Sequence, residues 1–230
     1  MRCNLLLAAL LLSPPAFSHD LWLEPDGDAV LLLQGHRHSA HEGAETVAYD
    51  AARVVGARCL DGDGRQRSLT IPLTSPVRLA GGCAVLQVHH VSGYWTKTAW
   101  DTKNVPKTGI SGVLRSWHSA ESVKRLGRWI PAAGQPLGQG LEITPLRDPL
   151  TLASGDKLNL LVTDDGKPVA GVPVAYGDDT RGVSGADGRI AIRLRHAGVQ
   201  LITTTLETPL ADGKADRSLR SATLQFEIAR

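Results

Sequence analysis

Short apolar runs rich in β-branched residues, separated by turn-forming clusters, set the strongest constraint on the fold of this chain. From residue 141 to residue 230 the runs recur at the 8 to 12-residue spacing that is typical of a β-sandwich of about seven strands. The same pattern extends from Trp22 to Val91, where the predicted turns include Asp26–Asp28, Asp61–Gly64 and Ala80–Gly82. We therefore predict a mainly all-β protein.

The stretch from residue 92 to residue 140 differs in character, because it contains four of the five tryptophans together with several lysines, glycines and prolines. Ser119 can cap a short helix over Ala120–Leu126, and Gly127 can end that helix. The sequence thus predicts a tryptophan-rich connecting segment with one short helix.

The first eighteen residues have the pattern of a secretory signal peptide. Arg2 precedes the apolar run Leu5–Leu12, and Ala16 and Ser18 place small residues at the −3 and −1 positions of a cleavage site. The apolar run is about half the length of roughly 20 residues that a membrane span requires. We expect cleavage after Ser18, a periplasmic location and no membrane span in the mature chain.

Four segments follow from these patterns. We expect a signal peptide at 1–18, an N-terminal β domain at 19–91, a connecting segment at 92–140 and a C-terminal β-sandwich at 141–230. Both β domains are predicted to be sandwiches of immunoglobulin-like type. The composition is that of a folded globular chain, and a formal charge of +2 is too weak to indicate a nucleic-acid partner.

Two cysteines, Cys59 and Cys83, remain after loss of the leader. In an oxidising compartment an even pair at this spacing is most simply a disulfide. A metal site with two thiolate ligands is the alternative.

Histidines are the candidate functional residues, because five of the eight lie between His36 and His90. If residues 30–38 form a strand, His36 and His38 point to the same face and can share one ion. His41 and His89 are further candidates. Imidazole is a favoured ligand of divalent nickel, cobalt, copper and zinc.

Cleavage after Ser18 would make His19 the first residue, with both an α-amine and a ring nitrogen able to close a chelate on one ion. An α-amine titrates near 7.7–8.0 in model compounds, so the binding of metal should weaken below about pH 6. The alternative is that the clustered histidines are polar residues of a solvated loop. We find no nucleophile motif, phosphate-binding glycine loop or convincing acid–base pair, and predict that the protein is not an enzyme.

Several motifs together resemble the family named domain of unknown function 4198. The motifs are His19–Pro25, Gly35–His36, Leu141–Pro149, Gly155–Leu158 and Asp165–Gly171. Members are often described as periplasmic components of nickel or cobalt uptake. The resemblance therefore implies a two-part exported β protein that handles a transition metal beside an inner-membrane transporter, and it covers His19, Asp20, Trp22 and His36.

Our first hypothesis is a metal-binding or accessory protein of nickel or cobalt uptake, with copper or zinc as other candidate ions. Its ligands would be His19, His36 and His38, with His41 or His89 in reserve, and Asp20 and Glu42 would orient the ligand imidazoles. A second hypothesis is a metal-free module that binds a peptide, a glycan or a transporter loop through Trp95, Trp100 and Trp117. A third is a copper enzyme that uses the N-terminal histidine as an oxidative brace.

Overall fold

The computed structural model of the chain describes residues 20–37, 46–177 and 179–229, and within these ranges the regular structure is almost entirely β. The strands are β1 (Asp20–Asp26), β2 (Ala29–Gly35), β3 (Val54–Leu60), β4 (Gln66–Ser68), β5 (Val77–Ala80), β6 (Val85–Lys97), β7 (Thr102–Lys103), β8 (Arg115–Leu126), β9 (Leu141–Pro145), β10 (Lys157–Asp164), β11 (Lys167–Pro168), β12 (Pro173–Tyr176), β13 (Asp179–Val183), β14 (Arg189–Arg193), β15 (Gly198–Pro209) and β16 (Arg217–Ile228). Short 3-10 turns lie at Ala51–Arg53 and Pro131–Gly134. The prediction of a mainly all-β protein is confirmed.

One large sheet organises the described chain. This central sheet has nine strands in the order β13-β12-β15-β16-β8-β6-β3-β4, with β7 paired to β6. Its pairs are antiparallel except for β16 and β8, which are parallel. Two smaller sheets accompany it: the N-terminal sheet has the order β1-β2-β5, and the C-terminal sheet has the order β11-β10-β14 with β9 paired to β10.

The two small sheets pack on opposite faces of the central sheet, as the alternation of side chains along its strands shows. In β16, Leu224 and Phe226 belong to a core shared with Ile143 and Leu160 of the C-terminal sheet. The side chain of Gln225 points the other way and exchanges two hydrogen bonds with the backbone of Leu23 in β1. The molecule therefore consists of two sandwiches that share one continuous sheet.

The N-terminal sheet is built on the β1–β2 hairpin, which pairs in full register from Asp20 opposite Gly35 to Asp26 opposite Ala29. Gly27 has φ of 61° at the turn, a conformation that glycine adopts without steric cost. Leu21 and Leu23 pack in the core beneath this sheet. The register is therefore fixed by both the turn and the buried face.

The helix predicted over Ala120–Leu126 is wrong, because these residues are the second half of strand β8. The strand lies between β6 and β16 in the middle of the central sheet. Val123 enters one core, whereas the side chain of Lys124 points to the other face and meets Glu142 of β9. Pairing on both edges and burial on both faces override a helical propensity of a few tenths of a kcal/mol per residue.

The segment at 92–140 thus supplies a central strand of the fold. The central sheet takes strands from all three predicted parts of the mature chain, so it is not divided at the predicted domain boundaries. Residues 141–228 form eight strands, which are divided between the C-terminal sheet and the central sheet.

The predicted disulfide is present: Cys59 and Cys83 are bonded, with their Cα atoms 5.3 Å apart and a separation of 24 positions in sequence. A thiolate metal site at these positions is thereby excluded. The bond fits a protein that folds in an oxidising, extracytoplasmic compartment. The predicted signal peptide at 1–18 lies outside the described residues. Among the residues described, no helix has the length and hydropathy that crossing a bilayer requires.

Candidate functional site

A cleft of about 600 Å³ lies at the end of the central sheet where β12 and β16 finish and β15 begins. Val199 and Glu227 of β15 and β16 line its floor. Tyr176 and His196 line one wall, and Arg37 lines the other. A small recess continues from the cleft to Asp20 at the first position of β1. The cleft therefore brings the beginning of the described chain against a loop of the C-terminal sandwich.

His196 is held in a defined orientation in the loop between β14 and β15. Its ring stacks on Tyr176 with centroids 5.5 Å apart and planes 19° apart. Its Nδ1 lies 2.9 Å from the carbonyl oxygen of Ala197. Because a carbonyl oxygen can only accept, Nδ1 carries the proton of the neutral ring, and the lone pair is on Nε2.

The side-chain amide of Gln200 does not donate to Nδ1 of His196. Its Nε2 lies 3.4 Å from Nδ1 of His196, but it donates to the carbonyl oxygens of His196 and Gly198 at 2.9 and 2.8 Å. Both amide hydrogens are thus in use. Its Oε1 accepts a hydrogen bond from the hydroxyl of Tyr176, so Gln200 fixes both members of the stacked pair.

Arginines support the same wall. Arg181 donates from Nη2 to Asp179 at 2.7 Å, and its guanidinium lies 6.0 Å from the ring centroid of Tyr176. Arg195 is a looser neighbour, with Nη1 3.9 Å from Asp179. Ion pairs between these arginines and Asp179 therefore lie next to the stacked rings of His196 and Tyr176.

The opposite wall is set by the β1–β2 hairpin. Arg37 donates from Nη1 to Glu24 at 2.8 Å, and its guanidinium lies 5.9 Å from the ring of Trp22. Trp22 donates from its indole nitrogen to the same carboxylate at 3.2 Å. These contacts anchor Arg37, the residue that follows His36, while Gly35 before it pairs with Asp20 at the end of the hairpin.

The family described as Domain of unknown function (DUF4198) matches residues 16–208 of the chain. This chain belongs to the DUF4198 family. The matched region runs from before β1 to the penultimate residue of β15, so it contains both walls of the cleft. None of the curated proteins matches the chain.

Only some of the predicted metal ligands lie within the residues that the structure describes. His36 and Asp20 lie at neighbouring positions of the hairpin end, because Asp20 pairs with Gly35. His19, His38, His41 and Glu42 lie outside the described residues. Within residues 20–37, 46–177 and 179–229, no group of three or more histidine, cysteine or acidic side chains is arranged to hold a metal ion.

His89 is not brought together with His36. It pairs with Ser122 of β8, which in turn lies beside Ala222 in the core under the C-terminal sheet. The cleft floor is on the other face of the central sheet. His89 of this DUF4198 chain therefore faces the interior between the two sheets of the C-terminal sandwich.

His90, the next residue, points to the opposite face and is almost completely buried. Its Nδ1 lies 3.6 Å from the carboxylate of Glu121, which also accepts a hydrogen bond from Gln34 at 3.3 Å. The ring of Tyr49 meets His90 edge-on. Through these contacts, Gln34 of the N-terminal sheet is joined to Glu121 and His90 of the central sheet.

His196 is the cleft residue that the sequence patterns missed. It lies 176 positions after Asp20 and has no histidine near it in sequence. The only local signal is its place between two predicted strands, where a loop residue can enter a site.

Burial gives His89 a testable effect on stability. Desolvation lowers the pKa of His89, Arg58 lowers it further, and Glu142 opposes both. The unfolded chain therefore takes up this proton first as the pH falls below about 6.5, which lowers the free energy of unfolding until the folded form is also protonated. We expect wild-type protein to lose stability on acidification through this window more steeply than His89→Leu, by at most about 1.4 kcal/mol per pH unit.

Urea unfolding of the two proteins between pH 7.5 and pH 5 measures this difference. His118→Leu removes a half-exposed histidine on another strand and serves as the control. Parallel pH profiles for wild type and His89→Leu would contradict the expectation.

Proposed function

We propose that this DUF4198 protein is an exported, periplasmic binding or accessory protein for the uptake of a divalent transition metal, with nickel or cobalt as the favoured ion. The observation that carries the proposal is that Asp20 and His196 line the same recess at the end of the β1–β2 hairpin. The residue that follows His19 in the sequence therefore adjoins an oriented imidazole from the C-terminal half of the chain.

Covalent geometry supports His19 as a ligand. It is joined to Asp20 by one peptide bond, so its Cα is about 3.8 Å from that of Asp20. After cleavage at Ser18 it offers an α-amine and a ring nitrogen for one chelate. Asp20 orients the ligand ring in this proposal, as carboxylates commonly do in metal sites.

His196 supports the same site from the opposite wall. Its Nδ1 contacts a backbone carbonyl oxygen, as the second ring nitrogen of a metal-binding histidine commonly does. A set of imidazole and amine nitrogens suits nickel, cobalt, copper and zinc. The proposed ligands are His19, His36, His38 and His196, with His41 in reserve and Glu42 as a further orienting carboxylate.

His89 is left out of the proposed set because it faces the other side of the central sheet. The partner in this proposal is an inner-membrane metal importer, which would receive the ion from the cleft. Metal uptake is the process that the resemblance in the sequence implies, and the disulfide fits an oxidising compartment.

Isothermal titration calorimetry tests the proposal on untagged protein isolated after export. We expect about one nickel or cobalt ion per chain at pH 7.5. His19→Ala and His196→Ala should each weaken binding at least about tenfold, since removal even of groups that support a ligand costs 10–100-fold. Affinity should also fall as the pH is lowered below about 6, because the ligand nitrogens must be deprotonated.

His118→Ala is the matched control for these variants. This histidine contacts Tyr94 on a different part of the central sheet and is not among the residues that line the cleft. Its affinity should equal that of wild type. Unchanged affinity in a folded His196→Ala protein would remove the cleft from the proposal.

A further inference from the structure

A long hairpin extends from the central sheet and ends in a tip formed by residues 97–115, which we call the hairpin tip. Its stem is stiffened by Trp95 and Trp117, which pair directly across β6 and β8 with ring planes 11° apart. Asn104 donates to the carbonyl oxygens of Ser92 and Tyr94, both at 2.8 Å. Lys107 is joined to Asp216 of the neighbouring loop. The tip is therefore held in place by the stem.

Apolar side chains are concentrated at this tip. Trp100 is 94% exposed, and Leu114 and Val105 are exposed as well. These are three of the seven large apolar side chains that are exposed in the described part of the chain. Trp100 lies in the turn closed by Thr98 and Asp101, and Leu114 donates from its backbone to Lys97 at 2.8 Å.

Basic residues outnumber acidic residues in the segment that carries the exposed apolar group. Within residues 97–115 there are four basic residues, Lys97, Lys103, Lys107 and Arg115, and a single acidic one, Asp101. Three of the four have an acidic neighbour, in Asp101, Asp216 and Glu207 respectively. Lys97 has no ion-pair partner among the described residues and is exposed beside Leu114.

Trp95 and Trp117 differ from Trp100. Both are partly buried in the stem, and the guanidinium of Arg115 lies 5.4 Å from the ring of Trp117. Their contacts with each other and with Arg115 account for their place in the structure. Trp100 makes no comparable ring contact among the described residues, so its burial would have to come from another body.

We propose that the hairpin tip docks on an anionic phospholipid surface, with Trp100 entering the headgroup layer. Tryptophan favours the boundary between water and lipid, because its ring is apolar and its N–H can still reach a polar partner. Lysines are attracted to anionic headgroups, and apolar and basic groups together strengthen interfacial binding. The inference is independent of metal binding, since no residue of the tip lines the cleft.

Co-sedimentation with lipid vesicles tests the inference on the full exported protein. We expect the protein to bind vesicles of phosphatidylcholine mixed with phosphatidylglycerol, and to bind vesicles of phosphatidylcholine alone more weakly. Salt should release it from the mixed vesicles. Trp100→Ser should lower the partition coefficient about tenfold. Leu73→Ser replaces another exposed apolar residue, one outside the tip, and should bind as wild type does.

A second variant and a second readout make the test independent of folding. Lys97→Ala should reduce binding to the anionic vesicles and leave binding to phosphatidylcholine unchanged. Brominated lipids should quench part of the wild-type tryptophan fluorescence and less of that of Trp100→Ser. The proposal would be overturned if wild-type protein bound neither kind of vesicle, or if Trp100→Ser bound as strongly as wild type. Either result would favour a protein partner for the tip. Nickel affinity should be the same in all these variants.

Discussion

Glu142→Leu should lower the free energy of unfolding by about 3–5 kcal/mol, because it leaves a buried lysine without its counter-ion. Nζ of Lys124 lies 2.6 Å from Oε1 of Glu142, and the two side chains are 3% and 1% exposed. Desolvation lowers the pKa of Lys124, and the nearby carboxylate opposes that shift. Urea unfolding monitored by circular dichroism measures the loss.

The double variant Lys124→Met/Glu142→Leu separates the pair from its surroundings. It removes both charges, so it should recover a large part of the loss that Glu142→Leu causes. It should not recover all of it, because the backbone N–H groups of Leu137 and Gly138 also donate to Glu142. Strictly additive effects of the two substitutions would contradict a coupled buried pair.

A surface ion pair provides the control. Arg65 and Asp63 lie 3.3 Å apart with both side chains largely exposed. Asp63→Asn should change the free energy of unfolding by no more than about 1 kcal/mol, because water screens exposed pairs. A similar cost for Asp63→Asn and Glu142→Leu would show that burial is not the cause.

Removal of the disulfide by Cys59→Ala/Cys83→Ala should cost about 3 kcal/mol. The bond spans 24 residues, and opening it restores conformational entropy to the unfolded chain. Cys59 is also fully buried in the core under the N-terminal sheet, so its replacement loses packing in addition. Urea unfolding of the double variant against wild type measures the sum.

Reduced wild-type protein distinguishes the two contributions. Reductant should reproduce the part of the loss that belongs to the cross-link, while the double variant should lose slightly more. If reduction leaves the unfolding midpoint unchanged and the thiols are shown to be free, the cross-link does not stabilise the fold.

The strands of the C-terminal half could be predicted from sequence because their signals are local. Apolar runs such as Leu158–Thr163 and Arg189–Leu194 lie between turn clusters, and the structure has β10 and β14 at these places. Turn glycines and aspartates also act within a few residues of one another. Such patterns therefore survive into the folded state with small changes at the ends.

Strand β8 could not be predicted because its determinants are distant in sequence. Residues 120–126 have helix-forming side chains and a serine before them, whereas the partners that hold them in a sheet are β6 and β16. The parallel pairing of β8 with β16 brings Ser122 beside Ala222, a hundred residues further on. The burial of Lys124 could not be predicted from sequence either, because it depends on the contact with Glu142 of another strand.

The candidate site divides in the same way. The clustering of the N-terminal histidines and the place of His36 just after a strand are local features of the sequence. His196 enters the cleft only because β12 and β15 bring its loop against the β1–β2 hairpin. The direction of His89 into the interior depends on the sheet pairing that surrounds β6.

Native mass spectrometry of the untagged exported protein, combined with elemental analysis, tests the central proposal most directly. It reads the mature N-terminus and the bound metal in one sample. We predict a chain that begins at His19 and carries about one nickel or cobalt ion, lost in His196→Ala and retained in His118→Ala. A chain that begins at His19, is folded with its disulfide closed, and takes up no divalent transition metal even when nickel and cobalt are supplied would contradict the proposal.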